Sequence, residues 1–273
     1  MMESEDMPPP AEVPGLELAQ RIYAKGVDVF DGCEVPVTEL GQRDPKVVAL
    51  TLLARTLSEM RAATLLLEHD LVVEARTMVR GMCENLFWAA ALAKKGSAFV
   101  EEMELDDITN RKARAGGLLD WAKAQASAPD FVDTLESFKT GLVDDHGKTW
   151  GIKLDQAAAA GGVKDLYIVY RELSTDAAHP SAASLSRHVT LEDDETKPPF
   201  TVHAAPTIGP EEAVETVELM CSASLGVVVA VNEILGGVPV GESLATLGED
   251  FVSLSGSNKA RRDAVSESSE PSV

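Results

Sequence analysis

The chain has 273 residues, 45% of them hydrophobic and 25% charged, enough to bury one large core or two small ones. Acidic residues outnumber basic ones 45 to 24, and the resulting net charge of −21 repels phosphate backbones, which excludes non-specific nucleic-acid binding as a bulk property. Cys33, Cys83 and Cys221 are too few and too scattered for a disulfide framework or a structural zinc site.

Aromatics make up only 5% while Ala and Leu abound, a composition suited to helix-on-helix packing. Proline placement organises the rest: four prolines fall in the first 14 residues, and none from Lys46 to Ala128 or from Asp130 to His179. The acidic, proline-rich stretch 1–14 reads as disordered and lacks the basic start and apolar run of a secretory signal. A single helical domain is expected over 15–253, then a disordered tail over 254–273, where serine, glycine and charge dominate.

In chain order, a helix is predicted from Leu16 to Phe30, stopped by Asp31-Gly32. The second has Asp44 as N-cap and Pro45 at its first position, and Val47, Leu50, Leu53, Leu57 and Met60 form its apolar stripe. A third runs from Leu71 to Lys95, and a fourth from Ala98 to Ala126 with a kink at Gly116-Gly117. Pro129-Asp130 opens a fifth helix, which ends near Val143 before a polar loop up to Lys153. Leu154–Ala160 and Val163–Ala178 are helical, Pro180 interrupts, and a short helix resumes over Ser181–Arg187. A small hairpin fits 188–204, and Pro210 starts the last long helix, which ends at Gly236-Gly237. The fold class is all-α: an antiparallel multi-helix bundle with one β insertion. The most apolar run, Leu225 to Val231, is far short of a membrane span, so no membrane association and a cytoplasmic location are expected.

Chemistry concentrates in two places. On the third helix Arg76, Arg80, Glu84 and Trp88 recur every fourth residue, one stripe across an otherwise apolar surface. Charges in such a setting need partners, since unpaired burial is costly. They read either as an internal salt-bridge network or as an anion site with Arg80 held by Glu84. The second place is Tyr170, Arg171, Ser174, His179, Pro180 and Ser181: Tyr170 and Ser174 share a helix face, and His179 stands at the helix end. His179 reads either as a cap at a helix–helix corner or as a titratable catalytic group. Neither set supplies its own partners well, and the order Arg80 before Glu84 is the weaker one within a helix. The two sets are therefore expected to face each other across a helix–helix contact.

Arg80-x3-Glu84 followed by Tyr170-x3-Ser174-x4-His179-Pro180-Ser181 resembles the bacterial family called domain of unknown function 5677, over roughly Lys46 to Leu235. The resemblance implies a helical domain and brings no activity with it. Arg171 and His179 also bear a looser likeness to HEPN ribonucleases, helical bundles with an arginine, four to six residues and a histidine. Here seven residues intervene, a departure from that pattern. In that mechanism His179 would be the general base and Arg80 or Arg171 would stabilise the phosphate.

The acidic run Glu101, Glu102, Glu104, Asp106 and Asp107 has no histidine at ligand spacing and reads as a solvated face, so no metal is expected. GxGxxG, GxxxxGK[ST] and GxSxG patterns are absent, and no cofactor is expected. Three functions remain: a binding or regulatory protein built around a buried polar cluster, a metal-independent ribonuclease using His179 with an arginine, or an enzyme acting on a small anionic substrate through the same cluster. Arg76, Glu84, Tyr170, Arg171, Ser174 and Ser181 are the candidate binding residues. A small anionic ligand and a homodimer are the expected partners, with RNA only under the second reading.

Overall fold

Asp44 opens the main core helix as its sequence requires: extended at its own backbone, it accepts a hydrogen bond from the Lys46 amide (2.9 Å), with Pro45 next. The computed structural model describes residues 13–268 except 37, 126–129, 147–148, 176–178, 193–195 and 197. Among the described residues ten α-helices account for nearly all of the regular structure: α1 (Leu16–Asp31), α2 (Pro45–Glu68), α3 (Val72–Lys95), α4 (Ser97–Lys123), α5 (Val132–His146), α6 (Leu154–Ala160), α7 (Leu166–Leu173), α8 (Ala182–Ser186), α9 (Glu212–Leu235) and α10 (Leu244–Ser268). Strands β1 (Val189–Leu191) and β2 (Phe200–Val202) form an antiparallel pair, with Val189 opposite Val202 and Leu191 opposite Phe200. The all-α expectation with a hairpin near 188–204 is what the structure has.

α3 is the hub. It packs on α2 and α9 along most of its length and also meets α4, α6 and α7. Small residues permit these approaches: a Cβ at Gly226 of α9 would lie 2.7 Å from Leu86 Cδ1, and one at Gly26 of α1 would lie 2.7 Å from Leu57 Cδ2. Ile22, Leu53, Met82, Phe87, Met220 and Val228 are fully buried along this seam. α5 packs chiefly on α4.

α4 continues as one helix through Gly116 and Gly117. Two expectations need correction. α9, taken as one 24-residue helix, is long and apolar enough to cross a membrane, with an 18-residue mean hydropathy of 1.7. Two thirds of that stretch is buried in the protein, because α9 fills the core against α3. The larger correction is the tail. Residues 254–268 continue α10 rather than losing structure, while 1–12 and 269–273 lie outside the described residues. Leu247, Phe251, Leu254 and Asn258 recur at steps of four, three and four, and this face packs on α1 and α9. Glu218 of α9 accepts from Ser255 (2.6 Å) and Asn258 (3.1 Å). At the other end Arg21 of α1 pairs with Glu242 and with Asp250 (2.6 Å). Tertiary packing has overridden a serine- and glycine-rich composition.

Deleting 254–273 should therefore lower the melting temperature by about 5 °C or more, the equivalent of about 2 kcal/mol at this chain length. A thermal melt by circular dichroism reads the difference directly, and an unchanged midpoint would show that this face of α10 contributes nothing.

Candidate functional site

α3 presents Arg80 and Glu84 one turn apart, towards α7. Their carboxylate–guanidinium distance is 2.8 Å. Across the helix contact Arg80 Nε donates to Ser174 Oγ (2.8 Å), and Arg80 Nη2 donates to Tyr170 Oη (3.0 Å). The phenol in turn donates to Glu84 Oε1 (2.9 Å), and Ser174 Oγ donates to the Tyr170 carbonyl (2.9 Å). Arg80, Tyr170 and Glu84 thus close a ring of charge-assisted hydrogen bonds that Ser174 ties to the α7 backbone, with the Arg80 guanidinium also 5.1 Å from the Tyr170 ring centre. Phe87 supports the phenol from below, edge-on at 5.7 Å. The two sets of residues do meet across a helix–helix contact.

His179 does not join them. It is exposed, and among the described residues its ring makes no hydrogen bond to Arg80, Glu84, Tyr170 or Ser174. The His-Pro-Ser segment instead builds the corner between α7 and α8. Ser181 caps α8 in a capping box with Ser184, donates to the Thr175 carbonyl (2.8 Å), and Ser184 Oγ donates to the His179 carbonyl (3.0 Å). The helix expected over Val163–Ala178 is regular only to Leu173, and its end at 176–178 lies outside the described residues. Arg171 is exposed on α7, and Arg76 turns the other way, to Glu215 of α9 (3.7 Å). The shared site is therefore Arg80, Glu84, Tyr170 and Ser174.

A family model described as a family of unknown function, DUF5677, matches residues 46–196, more than half of the chain. The chain belongs to this family. The match ends at 196, short of the Leu235 that the motif resemblance reaches. Within DUF5677, then, the two halves of the downstream motif do different work in this chain: Tyr170 and Ser174 bind Arg80, and His179-Pro180-Ser181 turns the backbone. No curated protein and no solved structure matches the chain.

A second polar group, adjacent to the first, was not foreseen. Asn85, 3% exposed, donates from Nδ2 to Thr56 Oγ1 (3.1 Å) and Glu59 Oε2 (2.8 Å) of α2. Arg55 Nε reaches the other Glu59 oxygen (3.0 Å). The sequence signal was available: Thr56 and Glu59 interrupt the apolar run of α2, and Asn85 sits beside Glu84 on a core helix.

Both groups border a cleft of about 460 Å³, lined by Arg55, Glu84, Asn85, Trp88, Met103 and Asp106 together with Thr51, Leu52, Ile152 and Leu154. Asp106, expected on a solvated face, lines this cleft and accepts from the Ile152 amide (2.7 Å). Glu102, its neighbour one turn back, pairs with Lys95 (3.0 Å). Trp88 stands in the wall, held edge-to-face against Phe99 at 6.1 Å.

Electrostatics separates the cluster from the nucleophiles near it. Burial pushes the Cys83 thiol up to about 12, with Glu84 adding to the rise, so it stays protonated and unreactive at neutral pH. Burial also raises the Tyr170 phenol, which keeps it a hydrogen-bond donor to Glu84. Glu59 lies above its ordinary 4.5 because burial disfavours its charge; Arg55 opposes this and the nearby Glu84 charge adds to it.

Glu84→Ala should cost about 2 kcal/mol by urea denaturation, since it strands Arg80 and Tyr170 in a site that is only partly exposed. His179→Ala should stay within about 0.5 kcal/mol of the parent. The Glu59 shift has its own sign. A carboxylate with a folded value above its unfolded one binds its proton more tightly when folded, so it favours the native state increasingly as pH falls from 7 to about 4.5. The stability of the parent minus that of Glu59→Gln should rise over this window, and a difference independent of pH would contradict the raised value.

Proposed function

We propose that the protein is a non-catalytic binding or regulatory protein whose ligand occupies the cleft between α2, α3, α4 and the segment leading into α6. One observation carries this reading. The Arg80 guanidinium, the Tyr170 phenol and one Glu84 oxygen are spent on one another and on Ser174 inside the chain, while the polar cleft beside them, about 460 Å³, stays open. That volume lies within the range of small-molecule sites. In this reading the cluster is the fixed wall of the site: it holds the Glu84 carboxylate in place and anchors α7 to α3.

The ribonuclease reading asks for an imidazole and a guanidinium converging on one scissile phosphate. Arg80 points into the helix contact towards Ser174 and Tyr170, and His179 is exposed at the α7–α8 corner. An anion at Arg80 would have to compete with Glu84, which already sits 2.8 Å away.

A thermal-shift panel of small cationic, anionic and neutral molecules, run beside an RNA-cleavage assay, tests the proposal. A ligand present at about 100 times its Kd should add about 2.7 kcal/mol, raising the melting temperature by roughly 5–10 °C. Thr51→Trp, an exposed lining position filled with an indole, should abolish that shift. RNA cleavage that His179→Ala removes would overturn the proposal, as would the absence of a cleft-dependent shift for every class.

A further inference from the structure

The lining of the cleft also specifies what kind of molecule fits it, on the reading that the cleft is the ligand site. Hydrogen-bond acceptors dominate. Asn85 is the most telling, because it is almost wholly buried yet lines the cleft. Its amide nitrogen is used on Thr56 and Glu59, whereas its Oδ1 accepts no hydrogen bond from any described residue. That oxygen is not sealed inside the protein, so it is free to accept from a molecule in the cleft. Glu84 directs Oε1 at Arg80 and Tyr170, and its Oε2 takes no hydrogen bond from a described residue. Asp106 accepts from Ile152 N and from Asn110 Nδ2 (3.0 Å), and no described lysine or arginine pairs with it.

The remaining wall is apolar and aromatic. Trp88, Met103 and Leu154 line it, and an indole face attracts a cation. Among the described residues lining the cleft Arg55 is the one cationic side chain, and its Nε is turned to Glu59. An incoming anion would meet Glu84 and Asp106 beside it. The net charge of −21 further concentrates small cations around the whole molecule.

We propose that the cleft binds a small organic cation, an alkylammonium or a guanidinium, whose N–H groups donate to Asn85 Oδ1, Glu84 Oε2 and the Asp106 carboxylate while its carbon chain lies on Trp88, Met103 and Leu154. Such a ligand supplies the donor that Asn85 lacks and the charge that Asp106 lacks. Ammonium and guanidinium groups share this chemistry, and the probes separate them.

The chain has three tryptophans, so Trp121→Phe with Trp150→Phe leaves Trp88 as the only one, and its emission reports on the cleft. This double variant is titrated with 1,4-diaminobutane and with methylguanidinium. The counter-probes are 1-butanol, butyrate, inorganic phosphate and calcium ion. A saturable change with at least one organic cation is expected, with Kd raised at least tenfold by Asp106→Asn and by Glu84→Gln. Asp133→Asn, on an exposed part of α5 away from the cleft, should leave Kd unchanged. Asp106 is partly exposed, so its variant tests the proposal even if Glu84→Gln weakens the fold. Saturable binding of a counter-probe with no response to either cation overturns this inference and leaves the binding reading standing. An unaltered Kd in Asp106→Asn also overturns it. No response to any probe overturns it together with the assignment of the cleft as a ligand site.

Discussion

α3 is enclosed by other helices along most of its length, and everything around it follows from the need to satisfy the polar groups it carries into that enclosure. Each finds its partner on a different neighbour. Arg76 reaches Glu215 on α9, Arg80 reaches Tyr170 and Ser174 on α7, and Asn85 reaches Thr56 and Glu59 on α2. Apolar contacts supply most of the cohesion, but Ala and Leu surfaces slide past one another at little cost. Directional bonds do not. The hydrogen bonds of Arg80 and Asn85 set the register of α7 and α2 against α3, and the longer Arg76–Glu215 ion pair adds a less directional tie to α9, whatever each adds to net stability.

This division of labour explains which parts of the structure were legible in the sequence. Arg80 and Glu84 could be matched to Tyr170 and Ser174 because both pairs are spaced by four on helices that are otherwise apolar, so each advertised an unmet need. His179 carried no such signal. Its place after a helix and before Pro180 fitted a catalytic end group and a corner equally well, and the caps at Ser181 and Ser184 describe the corner in which its backbone stands. Asn85 was hidden by its neighbour: beside a charged Glu84, an uncharged amide drew no attention, although its partners Thr56 and Glu59 stood in plain sight on α2. For α10 the stripe Leu247, Phe251, Leu254, Asn258 was present, but local composition outweighed periodicity in the reading. Burial against α1 and α9 has the opposite weighting.

The same logic separates structural polarity from available polarity. In the Arg80 ring the groups answer one another: the phenol donates to a carboxylate oxygen, that oxygen meets a guanidinium, and the guanidinium donates to a hydroxyl. Raised values at Tyr170 and Cys83 are what burial does to groups that are meant to stay neutral. Across the wall, in the cleft, the balance tips towards acceptors with no donor among the described residues, with Asn85 Oδ1 and Glu84 Oε2 the clearest. A polar group near a cavity marks a ligand site only when its own protein has left it with something to do.

The extent of the DUF5677 match adds a last constraint. Residues 46–196 contain α2 to α8 and β1, hence the whole Arg80 ring and every residue lining the cleft. They omit α1, α9 and α10, and with them Glu215, the partner of Arg76, and Gly226, against which Leu86 packs. The matched segment thus holds the candidate site but not the surface that closes the far side of α3. α9 buries Val217, Met220, Cys221, Val227, Val228 and Val231 in that gap. A site carried on one face of α3 depends on an apolar helix packed against the other, since rotation of α3 by a fraction of a turn would swing Glu84 and Asn85 away from α7 and α2 together. The site and the match therefore share boundaries, while the rigidity of the site comes from outside them.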